Sequence, residues 1–227
     1  MCLPSGARAQ LAIDRLWVDF DAKTANRADV VIRNESKDRY YISVIPSEIV
    51  LPGATDEKRV EMADPEKLGL LVTPNRLVVE PGATRSIRLV SLNGELTTDR
   101  VYRVKVTPQV GDIVVAEAAA NTRGLAVKVL AAYDVLVTVR PKGGKAAIVA
   151  TRTGSELSLR NAGTSNVLLY DGLGCNAGEA SDTKCEKIGS RRLYPGNEWK
   201  ITLADPAERV KFKQRLTIIG EPNEVTF

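Results

Sequence analysis

The stretch Leu125-Ala126-Val127-Lys128-Val129-Leu130-Ala131-Ala132-Tyr133-Asp134-Val135-Leu136-Val137-Thr138-Val139-Arg140 decides how this chain is read. It runs about sixteen residues with little interruption, near twice a typical strand. The odd positions are Leu125, Val127, Val129, Ala131, Tyr133, Val135, Val137 and Val139, while Lys128, Asp134 and Thr138 fall on the even side. Alternation with period two puts all the odd side chains on one face of an extended strand. Such a segment reads either as a long central strand or as a strand that outruns its own sheet. In the second case its free end is held ready to complete the sheet of another protein.

Upstream of this stretch the chain consists of short β-rich runs separated by polar turns. Leu11–Phe20 opens the series, followed by Ala28–Asn34, Tyr40–Ile45, Leu70–Thr73, Arg76–Glu80, Thr84–Val90 and Tyr102–Val106. Pro52-Gly53, Pro74-Asn75 and Pro81-Gly82 set turn dihedrals that strand residues avoid. Helical periodicity is hard to find: Glu61–Lys67 and Ala116–Ala120 each allow a single turn, too short to support itself. Closely spaced short strands predict a β-sandwich.

Downstream, Arg140-Pro141-Lys142-Gly143-Gly144-Lys145 has the composition of an interdomain elbow. Strand-like runs resume at Ala146–Thr151, Leu157–Asn161, Asn166–Tyr170, Glu198–Leu203 and Arg215–Ile219. The expected architecture is all-β: two sandwich domains, 10–141 and 142–227, arranged as a boomerang with a cleft between the lobes.

Composition narrows the function. The chain has 227 residues, 44% of them hydrophobic, and a formal net charge of +4. It contains no histidine, which removes Ser/His and Cys/His nucleophile pairs and His-containing zinc sites. Carboxylate pairs such as Asp19/Asp21 are set at no defined distance across a cleft, so no enzyme is expected, and no catalytic residue, cofactor or metal. Asp19 and Asp21 are read as solvating the edge of the first strand. The basic residues are dispersed rather than clustered, which argues against a nucleic-acid tail, and no apolar run is long enough for a membrane-spanning helix.

Cysteine usage points to an oxidising compartment. Cys175 and Cys185 flank a polar loop, and a disulfide closing it contributes about 2–3 kcal/mol in the chain-entropy view. A zinc site would need further Cys or His ligands. Ala7-Arg8-Ala9 has the small-x-small form of a secretory cleavage site, so residues 1–9, with Cys2, are read as a signal-peptide remnant.

Three stretches carry a family resemblance. They are Leu68-Gly69-Leu70-Leu71-Val72-Thr73-Pro74 leading into Leu77 and Pro81-Gly82-Ala83-Thr84-Arg85-Ser86-Ile87-Arg88-Leu89; Val101-Tyr102-Arg103-Val104; and the Cys175/Cys185 pair with Tyr194-Pro195-Gly196 after it. In their order and spacing the chain resembles the periplasmic chaperones of the chaperone–usher pilus pathway, more narrowly the alternate branch serving fimbriae of the CS1 and CFA/I type. The resemblance spans the chain from about Leu11 to its end. It implies two immunoglobulin-like domains, a periplasmic location, pilus subunits and an outer-membrane usher as partners, and donor-strand complementation as mechanism. Leu125, Val127, Val129, Ala131 and Tyr133 are the donor residues it implies, lent to a pilin that lacks its own last strand. A mobile, polar, Ala-rich loop from Gln109 to Gly124 would precede them, and self-association is expected when no pilin is bound.

The resemblance has one departure. In the best-known branch an Arg on the first strand and a Lys on the long last strand hold the pilin's C-terminal carboxylate. Here Trp17 falls at the first position and Leu136 or a neighbour at the second. Arg103 is the replacement candidate, because a guanidinium matches a carboxylate bidentately; Arg88 and Lys105 are weaker ones. A two-domain immunoglobulin-like adhesin or surface-binding module shares the composition, but has no need of the long alternating strand.

Overall fold

The computed structural model describes residues 11–21, 24–111, 129–176, 185–217 and 220–227. The expected signal remnant, the turn at Ala116–Ala120, and the donor positions Leu125 and Val127 lie outside these residues.

The chain forms two immunoglobulin-like β-sandwiches. In the first, one sheet orders β1 (Leu11–Ile13), β3 (Arg27–Asn34), β8 (Thr84–Ser91) and β6 (Leu70–Thr73). The facing sheet orders β2 (Trp17–Phe20), β10 (Tyr133–Val139), β9 (Arg100–Val110), β4 (Tyr40–Val50) and β5 (Lys58–Val60), and β7 (Arg76–Val79) also pairs with β4. Strand alternation fills the space between them with Ile32, Ile87 and Leu89 from one side and Val44, Val104, Val135 and Val137 from the other, all buried. The one helical turn, α1 (Pro65–Leu68), is capped by Asp64, whose side chain accepts from the Glu66 N–H, and stops at Gly69 with φ +80°.

The second sandwich pairs a sheet of β11 (Ile148–Thr153), β12 (Glu156–Asn161) and β16 (Glu198–Thr202) with a sheet of β14 (Glu186–Ile188), β13 (Val167–Cys175), β17 (Arg209–Arg215) and β18 (Asn223–Thr226). β15 (Arg191–Leu193) adds to β13. Phe212 holds the middle of this core between the rings of Trp199 and Phe227, at 5.4 and 6.5 Å. The disulfide Cys175–Cys185 ties the end of β13 to the segment before β14.

Both sandwiches are closed by the same corner. Asn34, at the end of β3, donates through Nδ2 to the carbonyls of Asp38 and Val79 (2.7 and 3.0 Å) and accepts at Oδ1 from the Ser36 N–H. Asn161, at the end of β12, repeats this with the carbonyls of Ser165 and Leu193 (2.9 and 3.0 Å) and the Gly163 N–H. In each case the following Pro-Gly turn docks back, Gly82 N–H on the Asn34 carbonyl and Gly196 N–H on the Asn161 carbonyl. Both glycines have positive φ, +72° and +85°, a conformation costly for other residues.

Three strand expectations change. The opening run Leu11–Phe20 is two strands in different sheets. Asp14 ends the first by accepting the Val31 N–H on its side chain, and Leu16 at the crossover is exposed. The last expected strand, Arg215–Ile219, gives way to β17 at Arg209–Arg215, where Val210 and Phe212 alternate inward between Arg and Lys. Leu216 and Thr217 form a bend.

The long strand also changes: β10 begins at Tyr133, and Val129–Ala132 are not in a strand. Pro108 is the physical reason. Val44 N–H bonds to the Asn75 carbonyl on the β7 side, so odd residues of β4 turn their backbone groups toward β9. Through the pairs Ser43↔Thr107 and Ile45↔Lys105, the even residues of β9 therefore face β10. Continuing the Tyr133↔Val106 register would set Ala131 against Pro108, which has no N–H to give. Leu130 instead packs against the sandwich core, as does Tyr133 three residues on, and that spacing breaks the period-two alternation.

Candidate functional site

The outer face of the β2–β10–β9–β4 sheet is turned toward the second domain. Cross-strand register sets Trp17, Leu136, Arg103 and Ser47 side by side in one row across its four strands. The next row holds Asp19, Thr138, Val101 and Ile49. Tyr194 of the second domain closes on this surface, forming an apolar cluster with Ile49, Val101, Leu136 and Trp17. Burial raises the Tyr194 phenol above its ordinary value, with the nearby Arg192 guanidinium opposing that rise.

An ion-pair hub lies beside this cluster. Arg140, just past β10, donates to the Asp19 carboxylate at 3.0 Å and lies 3.6 Å from Asp99, whose side chain is fully buried. The same guanidinium donates to the carbonyls of Asn166 and Leu216 in the second domain. Asp99 in turn accepts from the Ser165 hydroxyl (2.7 Å) and the Asn166 N–H (2.6 Å). Asp19 therefore does not merely solvate a strand edge; it is buried and neutralises Arg140, because β2 lies beside the end of β10. Asp21 accepts the Thr24 N–H in a local turn. Arg140, read as part of an open elbow, is buried in the junction.

The tip of the β4–β5 hairpin completes the junction. Gly53 has φ +74°, and a Cβ there would stand 2.5 Å from Asn197 Oδ1 and 3.1 Å from the Tyr194 ring. The hairpin of one domain thus touches the Tyr194–Asn197 turn of the other at backbone distance.

The candidate residues divide by face. Arg103 projects onto the cleft face beside Leu136, with its Nη1 on the Asp134 carbonyl at 3.3 Å and the Asp134 carboxylate 3.9 Å away. Lys105 stands on the same face, opposite Asp134 and exposed. Arg88 lies on the other sheet and grips Asp29 with two bonds of 2.8 and 2.9 Å, which hold the Asp29 carboxyl below its ordinary range. Trp17 and Leu136 are cross-strand neighbours, so the two positions where the resemblance expects basic anchors share one spot of this face.

Among the donor positions, Val129 is 80% exposed, Ala131 is exposed, and Tyr133 is half-buried with its hydroxyl on the Leu11 carbonyl. An exposed apolar segment thus leads directly into a core strand. Sequence reasoning missed Arg192, which approaches Trp17 from the second domain. Its only signal is the pair Arg191-Arg192 just before Tyr194-Pro195-Gly196. Among the described residues no group of His, Cys, Asp or Glu could hold a metal ion.

No family model matches the chain. It is 29% identical over 204 residues to a CS1 fimbrial protein of Escherichia coli, covering 88% of this chain and 83% of that protein. Its fold is similar to that of the class 5 fimbriae chaperone CfaA, with a TM-score of 0.70 and 21% identity, covering 96% of this chain and 97% of the other. A chain from a chaperone–tip adhesin complex of CFA/I fimbriae biogenesis matches with a TM-score of 0.67 and 20% identity, covering 96% and 98%. The all-β, two-domain fold and the likeness to fimbrial chaperones of the CFA/I branch read from the sequence are both borne out.

Proposed function

We propose that this chain is a periplasmic chaperone that captures fimbrial subunits by donor-strand complementation and delivers them to an outer-membrane usher. The observation that carries this reading is the exposed apolar segment leading into β10, on a fold shared with fimbrial chaperones. In this reading residues 10–141 form the chaperone domain, 142–227 the second immunoglobulin-like domain, and 1–9 are a leader remnant.

On meeting a pilin, the segment from Leu125 to Tyr133 straightens and extends the alternation of β10. Leu125, Val127, Val129 and Ala131 then enter the pilin's open core while main-chain bonds pair with the groove edges. Burying these four side chains contributes on the order of 4–8 kcal/mol before association costs. Arg103 receives a pilin carboxylate on the cleft face, with Lys105 adding positive charge; Arg88, already matched by Asp29, is the weakest of the three. The role is one of binding rather than catalysis, and the adhesin reading is not favoured, because the similar proteins are chaperones. With no pilin present, the exposed donor segment favours self-association.

The test is periplasmic co-expression with a fimbrial subunit, followed by affinity capture and size exclusion. A one-to-one complex that protects the pilin from degradation supports the reading. A degraded pilin and an unbound chain, across several candidate pilins, would overturn it.

A further inference from the structure

Arg192 is a half-buried guanidinium with no carboxylate paired to it among the described residues. It stacks on Trp17, 4.0 Å from the ring centroid, and spends one donor on the Asn166 side-chain oxygen at 2.6 Å. Loss of water lowers its pKa from the ordinary value. Removing an arginine from water without an anion is costly, and stacking on an indole offsets only part of that cost. The same indole carries a second unmet demand, since Trp17 Nε1–H is buried without an acceptor.

The facing wall is short of negative charge as well. Asp134 serves two arginines: Arg59 holds it at 2.7 Å, and Arg103 is left at 3.9 Å. Three guanidinium groups therefore border this part of the cleft against one carboxylate. Trp17, Leu136 and Arg103 occupy successive strands, so the first and last are about 10 Å apart at ordinary strand spacing. Arg192 stands over the Trp17 end, and Leu136 forms an apolar floor in between.

We propose that Arg192 and Arg103 form a carboxylate clamp closed from both domains, over the floor of Leu136 and against the face of Trp17. The ligand it takes is a carboxylate at the end of an apolar polypeptide stretch, either a chain terminus or an acidic side chain. This assignment rests on the pilin-capture reading and adds to it the residue from the second domain. An anion held there matches the charge that the junction leaves unpaired, so ligand binding and the seating of the two domains reinforce one another.

The experiment follows Trp17 emission in the intact chain carrying Trp199→Phe, titrated with three N-acetylated apolar tetrapeptides. One ends in a free carboxylate, one is amidated, and one is amidated with a terminal glutamate. The free-acid peptide is expected to shift the emission and the plain amide to leave it unchanged. Arg192→Gln and Arg103→Gln are each expected to weaken the response at least about tenfold. A response to the glutamate amide supports the clamp and assigns it side-chain carboxylates. Equal responses to acid and plain amide, or an unchanged response in both variants, would overturn it. Arg192→Lys keeps the charge but loses the flat stack, and is expected to fall between wild type and Arg192→Gln. Pilin co-expression separates the two levels: capture undiminished by both Gln variants sinks the clamp alone, whereas no capture by the wild-type chain sinks the function it rests on.

Discussion

Arg140 and Asp19 form a buried ion pair at 3.0 Å that belongs to the first domain yet also holds the second. The guanidinium satisfies Asp19 with some of its donors and the Asn166 and Leu216 carbonyls with others. Both domains thus depend on one side chain for their seating, and the cleft between them inherits its geometry from it.

Replacing Arg140 with Met leaves Asp19 and Asp99 buried without their cation. Breaking one partner of such a pair costs about 3–5 kcal/mol. Urea unfolding should show this loss, together with earlier proteolysis near the elbow. A change under about 1 kcal/mol would mean that the hub is not what seats the domains.

Gly53 and Gly82 give a matched pair. Both have positive φ, +74° and +72°, but a Cβ at Gly82 meets nothing within 4 Å, while one at Gly53 runs into Asn197 across the junction. Gly82→Ala should cost only backbone strain, about 1–2 kcal/mol. Gly53→Ala should cost more, because Asn197, whose side chain caps the Tyr194 N–H, must move. Equal losses in thermal unfolding would place the hairpin tip away from the second domain in solution.

Tyr194 makes the junction sensitive to alkali. Burial raises its pKa, so above about pH 10, where an unfolded tyrosine loses its proton, the folded form still keeps it. The folded state then binds more protons, and stability falls as pH rises. Tyr102, raised mainly by its own burial, adds in the same direction. Tyr194→Phe should flatten the decline in melting temperature between about pH 9.5 and 11.5 relative to wild type. An unaltered slope would assign the alkaline loss elsewhere.

These residues also mark how far the sequence can be read. The Pro-Gly turns at Pro81 and Pro195 announce the two corners, because only a few dihedral combinations fit them, and the valines of β10 announce their face by alternation. The start of β10 is not legible in its own residues. It is set by Pro108 on a neighbouring strand, which matters only once the register is known. Asp19 has the look of a surface carboxylate because nothing local reveals that Arg140 will lie beside it. Arg192 is hidden for the same reason: its partner, Trp17, is brought to it by the packing of two domains. β17 is hard to place because lysine separates its two core residues, whereas the apolar residues just after it form a stronger strand pattern.

The central claim is that the segment before β10 completes a pilin's sheet. The most direct measurement is pilin capture by the Val127→Asp, Val129→Asp double variant, with circular dichroism and size exclusion confirming that it folds. Charges forced into an apolar groove are costly, so capture should be lost while both domains stay folded. A folded double variant that still protects and co-purifies the pilin would contradict the account and move the donor role to another part of the chain.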